Sequence, residues 1–533
     1  MGYLGHILVA LLALGVAESG YASGLEAPWL VVGLLPLPYV LAAWSQRLAL
    51  RGRFRASERV YRLLTTCAPA SFVAATVGFG WSTCVRGWTG SKTTFLDWPD
   101  ATILLVLAPF LVFEVLAIDA RARTVAPPGE LRRWRGFQLR MFASGLAPLV
   151  VYVVLASIVS TSDELRVRLH EVRLYYALFV VGLFGLLGLM LPYLLKNTWE
   201  TVPVPDGPQR ELLLSVAELA RFDSPRIYVW KTGHTMANAA IVGITKKSRV
   251  VLFSDSLLAQ MGPSELAAVF AHEMGHAVRR HVPIFLMLVL GFVMLGDLLG
   301  THYFPDDDLW AGATMLGVMG LWFVAFVYLS RRFELDADLF SLDVLGEVRS
   351  LISALEKVGG RLRDVAGWRH FSTADRVEFL ERAQNDRRVG QKLRRDLRRF
   401  TYAGIALFVI TGALQITTLV RSLPEDQMRA DLALGEYASA RARAERIDEL
   451  EPGLRELVAR TSSVSDHEPT ASLVRHALDA LRAGDAQAVV DWIQLGAQRG
   501  DADLKSILES IDEHEGAGLP DSLESRLTAF RAR

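Results

Sequence analysis

Residues 271–276 read Ala-His-Glu-Met-Gly-His, which sets two imidazoles and a carboxylate within five consecutive positions. On a helix, positions i and i+4 differ by only about 40° around the axis. His272 and His276 would therefore face one metal ion, and Glu273 would project beside them, within reach of a water on that ion rather than of the ion itself. That is the arrangement for hydrolysis with a carboxylate as general base. With 11 histidines in 533 residues, the HExxH pattern arises by accident in on the order of 1% of such chains. Its surroundings must decide.

Two imidazoles leave a tetrahedral zinc short of a protein donor, since a catalytic site keeps one position open for water. Downstream, Ser330-Arg331-Arg332-Phe333-Glu334-Leu335-Asp336-Ala337-Asp338 puts Glu334 and Asp338 on one helical face. Glu334 is the expected third ligand. Asp338 is the expected hydrogen-bond partner of the outer nitrogen of a ligand histidine, which would fix its tautomer. Read in isolation, this segment is the charged start of a helix after a membrane span; coupled to HExxH, the ligand reading is preferred. Only Cys67 and Cys84 occur, which excludes a disulfide scaffold and a thiolate cluster. One zinc per chain, held by histidine and carboxylate, is the expected cofactor.

The elements that must position these residues are mostly apolar. Hydrophobic residues make up 51% of the chain and mean hydropathy is positive, well above soluble composition. Windows near 3–18, 27–46, 63–85, 100–118, 141–160, 174–195, 282–302, 309–329 and 401–420 predict nine membrane spans. No Lys or Arg precedes the first window, which favours an uncleaved anchor, although small residues around Ala22 and Ser23 keep a signal peptide open. Val202-Pro203-Val204-Pro205 ends the sixth span and begins a soluble region. Within it, 226–230, 239–244 and 249–254 are β-branched and aromatic runs that predict a small sheet. A helix should follow from Pro263 or Ser264, with Ser264 as N-cap. The 57 basic and 57 acidic residues cancel, so nothing points to nucleic acid. The partners expected are a peptide or membrane-protein substrate and the lipid bilayer.

At this point the residues resemble a known family. HEMGH with a trailing His281, and Phe333-Glu334-Leu335-Asp336-Ala337-Asp338, look like the HExGH and ExxAD segments of the M48 zinc peptidases, which include the Ste24 CAAX prenyl endopeptidases and the HtpX membrane proteases. The resemblance covers about 226–380. It implies that Asn238 and the strand around Ala240 bind the substrate backbone by strand addition; the plain alternative is an ordinary β-hairpin. It also implies that His370 stabilises the oxyanion and that Arg376, six residues later, supports the substrate or the site. This chain has His370-Phe371-Ser372 where the family pattern has His-Pro.

The fold class expected is a multi-span α-helical membrane protein with an embedded zincin-like α+β catalytic domain and a C-terminal α-helical soluble domain. The boundaries are 1–196 for the N-terminal membrane domain, 197–400 for the catalytic region including spans 282–302 and 309–329, 401–423 for the ninth span and 424–533 for the tail. Leu434-Gly435-Glu436-Tyr437-Ala438 resembles half of a tetratricopeptide unit, and Ala483-Gly484-Asp485-Ala486 echoes it at a spacing too long for a regular array. The tail therefore reads as helical hairpins for contact with a protein partner.

The expected function is zinc-dependent endopeptidase action on membrane-associated proteins or peptides, in membrane-protein quality control or processing. CAAX-type processing of prenyl proteins is an alternative. A catalytically silent scaffold and a transporter of similar architecture are others, the last because Glu114 lies inside an apolar block, near enough to its end to reach the interface. His281 falls about 140° round the helix from His276 and should point away from the metal, at the interface. His234, ahead of the second β run, reads as a loop residue. The Arg-rich loops 47–62 and 119–140 should be cytoplasmic. Alternation then puts the catalytic segments inside and the tail on the opposite face of what composition suggests is a bacterial inner membrane.

Overall fold

Apolar runs longer than a bilayer is thick become helices, because in lipid each backbone N–H and C=O must be satisfied within its own segment. The computed structural model describes residues 3–18, 27–90, 99, 101–127, 129–223, 226–234, 236–243, 245–303, 308–360, 363–365, 371–448, 450–512 and 522–532. Among them, eight helices are long and apolar enough to cross a membrane: Pro28–Leu50, Phe54–Gly78, Thr102–Val125, Leu131–Val159, Arg173–Thr198, His281–Gly300, Gly312–Leu345 and Arg387–Leu434. The first apolar window forms a helix of 16 residues, Tyr3–Glu18, about 24 Å of rise against a hydrocarbon core of about 30 Å. The window 63–85 spans two elements. Helix Phe54–Val73 runs into one π turn, Ala74–Gly78, and the chain breaks at Gly80 (φ 66°) before Trp81–Thr89.

The last two long helices extend far beyond their apolar windows. Helix Asp308–Leu345 continues unbroken for 38 residues and carries Glu334, Asp336 and Asp338 beyond its apolar window. Helix Arg387–Leu434 runs for 48 residues.

Among the described residues one sheet has four strands, β1 (Thr201–Pro203), β2 (Ile227–Trp230), β3 (Ala239–Val242) and β4 (Val250–Ser254), in the order β1-β2-β4-β3. β1 pairs antiparallel with β2, β2 parallel with β4, and β3 antiparallel with β4. β1 lies in the Val-Pro-Val-Pro segment read only as a break, since prolines are tolerated on an edge strand. β4, flanked on both sides, is buried along its whole length. β3 is an edge. Gly243 closes it with φ 108°, and a Cβ there would come within 2.8 Å of the Ser248 backbone, so the turn back to β4 requires glycine.

Helix Pro263–Val278 packs on this sheet. Phe270 meets Phe253 edge to face at 5.8 Å, and each fully buried ring contributes roughly 2–3 kcal/mol of hydrophobic free energy. The N-cap is Gly262 rather than Ser264: Pro263 takes the first helical position, and the Glu265 carboxylate accepts the Gly262 N–H at 2.7 Å. At Gly275 the helix touches Asp308–Leu345 so closely that a Cβ would lie 3.0 Å from Ala337 Cα. This crossing brings the two halves of the site together.

The chain divides into two compact units, Met1–Ser157 with Leu183–Gln415, and Ile158–Gly182 with Ile416–Arg533. The second unit thus takes in a segment well outside 424–533. Its helices Tyr437–Ala444, Pro452–Arg460, Thr470–Ala483, Ala486–Gln498, Ala502–Asp512 and Ser522–Arg531 share one apolar core around Tyr437, Leu473 and Val489. Helix Asp163–Glu171 joins it through Arg168, 3.2 Å from buried Asp431 and 3.0 Å from Glu436, and Arg173 lies 3.0 Å from buried Asp426.

Candidate metal centre

One turn of helix Pro263–Val278 presents His272 and His276 toward Glu334, and one donor atom from each of the three lies within 4.8 Å of the others. The two Nε2 atoms are 3.3 Å apart, with Glu334 oxygens 3.8 Å from His272 Nε2 and 3.7 Å from His276 Nε2.

What stands behind each imidazole decides which nitrogen is free. His272 Nδ1 lies 2.9 Å from Asp338 Oδ1. Asp338 is fully buried and gripped by Arg376, whose Nε donates to Oδ2 at 2.9 Å and Nη2 to Oδ1 at 2.6 Å. A carboxylate clamped this way can only accept. His272 therefore carries its proton on Nδ1 and turns a lone pair at Nε2 toward Glu334. Arg376 Nη1 also comes within 3.5 Å of Glu334. Burial opposes protonation of His272, but Asp338 outweighs it and holds the ring above its ordinary pKa. Burial likewise works against the Arg376 charge, and Asp338 with Glu334 more than restores it.

His276 has a longer support. Its Nδ1 lies 2.9 Å from Nδ1 of His281, whose Nε2 is 3.3 Å from Asp336 Oδ2. Asp336 is flanked by Arg394 at 3.6 Å and Arg279 at 3.8 Å. His281 stacks on Phe333 with centroids 4.1 Å apart and planes at 9°. The expectation that His281 points outward at the interface is thus corrected. It assumed one continuous helix, whereas Pro263–Val278 ends and Arg280 adopts φ 57°, so that His281 opens the next helix and folds back buried against His276. Burial, with the nearby His272 ring also disfavouring a second charge, pushes His276 down to about 3.

Glu273 sits at β3. Burial pushes its carboxyl up to about 7, with His272, Arg376 and the Ile241 amide pulling the other way. Ala240 lies half-buried on this edge strand, and exposed Asn238 just precedes it, its N–H donating to Ser254 Oγ at 2.9 Å. His370 lies outside the described residues. His234 is in the β2–β3 loop as expected, with φ 59°.

Two nitrogen lone pairs and a carboxylate edge facing one another this closely repel unless a cation lies between them, so the donor set fits a metal ion. The residues that sequence reasoning missed are His281, Asp336, Arg279 and Arg394. The trailing His281 was the available signal, hidden by the helix break.

Glu114, by contrast, is fully buried rather than at an interface. Nδ1 of His6 contacts one oxygen and Arg121 lies 3.5 Å from the other, over the ring of Tyr3.

Residues 206–429 match the family model described as Peptidase family M48. A CAAX prenyl protease 1 homolog of Arabidopsis thaliana is 28% identical over 208 residues, 34% of this chain and 49% of that protein. A protein named Protease HtpX homolog 2 from Methanosarcina mazei is 24% identical over 255 residues, 44% of this chain and 83% of that one. The crystal structure of S. mikatae Ste24p aligns with 66% of this chain and 97% of that one at 15% identity and a TM-score of 0.39. The chain spans about half the length of the first curated relatives it matches. Eight long apolar helices among the described residues, with relatives of this kind, make it an integral membrane protein, and its residues 206–429 are similar to peptidase family M48.

Proposed function

We propose that this chain is a zinc-dependent endopeptidase that cuts peptide bonds of membrane-associated proteins or peptides. The observation that carries the reading is the convergence of His272, His276 and Glu334 within 4.8 Å, with Glu273 next to His272 on the same helix and its carboxylate at the Ile241 amide of edge strand β3. Two imidazole nitrogens and a carboxylate oxygen suit zinc better than magnesium or calcium, which favour all-oxygen sites. Zinc, when bound, supplies Lewis acidity toward the scissile carbonyl. The rest of the work falls to the chain. Glu273, with a carboxyl poised near neutrality, takes the proton of the attacking water and returns it to the leaving amine. β3, an edge strand, offers its outer backbone edge to an extended substrate, with Ala240 within it and Asn238 just before it. Asp338 and Arg376 hold His272 in one tautomer, and His370 is assigned to the developing oxyanion.

In this reading the zincin-like catalytic segments 197–281 and 331–400 are cytoplasmic, with spans 282–302 and 309–329 between them, and the tail is on the opposite face. Support for the second half comes from the tail's own unit: it packs on 163–171, the loop between helices Leu131–Val159 and Arg173–Thr198. That loop is one crossing away from the Arg-rich segment 119–140 and one crossing away from the sheet. The clients best fitting this setting are membrane proteins undergoing quality control or processing. Casein-type cleavage that chelator abolishes and zinc restores tests the chemistry, and trapping with Glu273→Gln in native membranes identifies the clients. Chelator-insensitive cleavage, or none in the zinc-loaded protein, would remove the assignment.

A further inference from the structure

We infer that this site prefers substrates with acidic side chains just before the cleaved bond. The inference rests on the peptidase reading and adds to it a substrate class.

Next to the metal centre lies a cavity of about 720 Å3, a size that holds several side chains of a bound peptide. Its walls include His276 and the end of β3, Ile241 through Gly243, so it continues directly from the reacting centre. Five cations line it: Arg221, Arg226, Lys246, Arg249 and Arg280. Asp223 is the single carboxylate among the described lining residues, and it is already matched to Lys246 at 2.5 Å. Arg226 donates to the backbone carbonyls of Lys247 and, at 3.1 Å, Arg249, neither of which neutralises its charge, and the Arg249 guanidinium lies over the Phe222 ring at 5.2 Å. Arg221 and Arg280 are exposed. Four positive charges are thus left over in a cleft with apolar walls at Leu191, Pro192 and Val282, where field lines are concentrated and an anion gains most.

The strand direction says which part of the substrate meets them. β3 runs from Ala239 to Val242, and Glu273 sits at Ile241. A substrate adding antiparallel, the commoner pairing, runs the other way. Its residues before the cleaved bond then face Val242, Gly243 and the cations, and its residues after the bond face Asn238. Acidic side chains, rather than a terminal carboxylate, are what this polarity places in the cavity. A cationic rim near membrane helices would also suit anionic lipid headgroups. The peptide reading is favoured because the half-buried Arg226 and Arg249 share a cavity with His276 instead of lying on an open face.

The test uses the full-length, zinc-loaded protein in nanodiscs of phosphatidylcholine and three quenched peptides identical except for Asp-Asp, Asn-Asn or Lys-Lys before the cut, with a mirrored set after it. Asp-Asp before the bond should exceed Asn-Asn by roughly ten-fold in kcat/KM, mostly through KM, and the gap should shrink as salt rises. Lys246→Glu combined with Arg280→Glu, both exposed positions, leaves three cations facing three carboxylates and should abolish the preference, so that Asp-Asp, Asn-Asn and Lys-Lys are cut at similar rates. Equal rates for Asp-Asp and Asn-Asn, or a preference only for acids after the bond, would overturn this inference while leaving the peptidase reading intact. So would a double variant that changes only the response to added phosphatidylglycerol. Failure to cut any peptide would overturn the peptidase reading and this inference with it.

Discussion

At the metal centre Arg376 and Asp338 stand behind His272, whereas in the N-terminal helices Arg121 and His6 close directly on Glu114. Both sets combine histidine, carboxylate and arginine in a buried place. In the first, the charge of the carboxylate is spent holding a proton on the far side of the ring, which leaves a lone pair pointing forward. In the second, the carboxylate is itself the meeting point, and its charge is consumed by its neighbours. An ionisable residue in an apolar segment is a functional candidate by default. Here the geometry separates a site open to a cation from a closed group that ties helix Tyr3–Glu18 to helix Thr102–Val125.

The largest effect that would break the comparison is at Glu273. Glu273→Gln keeps the size of the side chain but cannot accept the water's proton, so turnover should fall by about 100- to 10,000-fold while bound zinc, counted by elemental analysis, stays. Glu334→Ala should instead lose the metal. Near-normal turnover in the Gln variant would leave Glu273 with no general-base role.

How much of this was legible beforehand follows from the range of each interaction. HExxH is a local pattern, and the helix that carries Glu334 and Asp338 is periodic, so His272, His276 and Glu334 could be brought together from spacing and ligand chemistry. Arg376 was named only through family resemblance; its grip on Asp338 crosses 38 positions, which no local spacing reveals. His281 was misplaced because one residue, Arg280, leaves the helical region and redirects the chain. His6 and Glu114 are 108 positions apart, and only the packing of helices brings them together. β1 was hidden because proline argues against a strand unless the strand is an edge.

Next in size is Glu114→Gln. Removing one charge of a buried group strands its partner Arg121, which should cost about 3 kcal/mol of stability, read as earlier unfolding in a detergent titration. The rate per correctly folded, zinc-loaded molecule should not change. A fall in kcat at full zinc occupancy would join the two regions and break the contrast.

A finer comparison lies between the two ligand histidines. Asp338→Ala removes the direct partner of His272 and should weaken zinc affinity by roughly 10–100-fold. His281→Ala acts on His276 from one residue further out than a carboxylate would, and about ten-fold or less is expected; His281→Gln, which can still accept from Nδ1 of His276, should recover part of it. Equal losses at Asp338 and His281 would mean that the relay through His281 to Asp336 orients its ligand as firmly as a direct carboxylate does.

The smallest effect isolates the scaffold from the chemistry on the same helix. Glu265 lies two turns before His272 and accepts from Lys357 Nζ at 2.6 Å, from the Gly262 N–H at 2.7 Å, and from Ser353. Burial alone would raise its carboxyl, but these donors outweigh burial and hold it below the ordinary value. A depressed folded-state pKa means that the ionised carboxylate is worth more in the folded protein than in the unfolded chain. Its contribution is therefore full above the unfolded value of about 4.3 and is lost as pH falls through the lower folded value. Lys357 is half-exposed, so solvent screens that arm and roughly 0.5–1 kcal/mol is expected. Glu265→Gln retains an oxygen for the Gly262 N–H and removes only the charge. Thermal unfolding of the two proteins should thus differ by a few degrees or less at pH 7, with the gap closing below about pH 4. A gap that persists in acid would locate the contribution in the shape of the cap, and a change in zinc affinity at neutral pH would show that the start of this helix positions His272 as well as anchoring it.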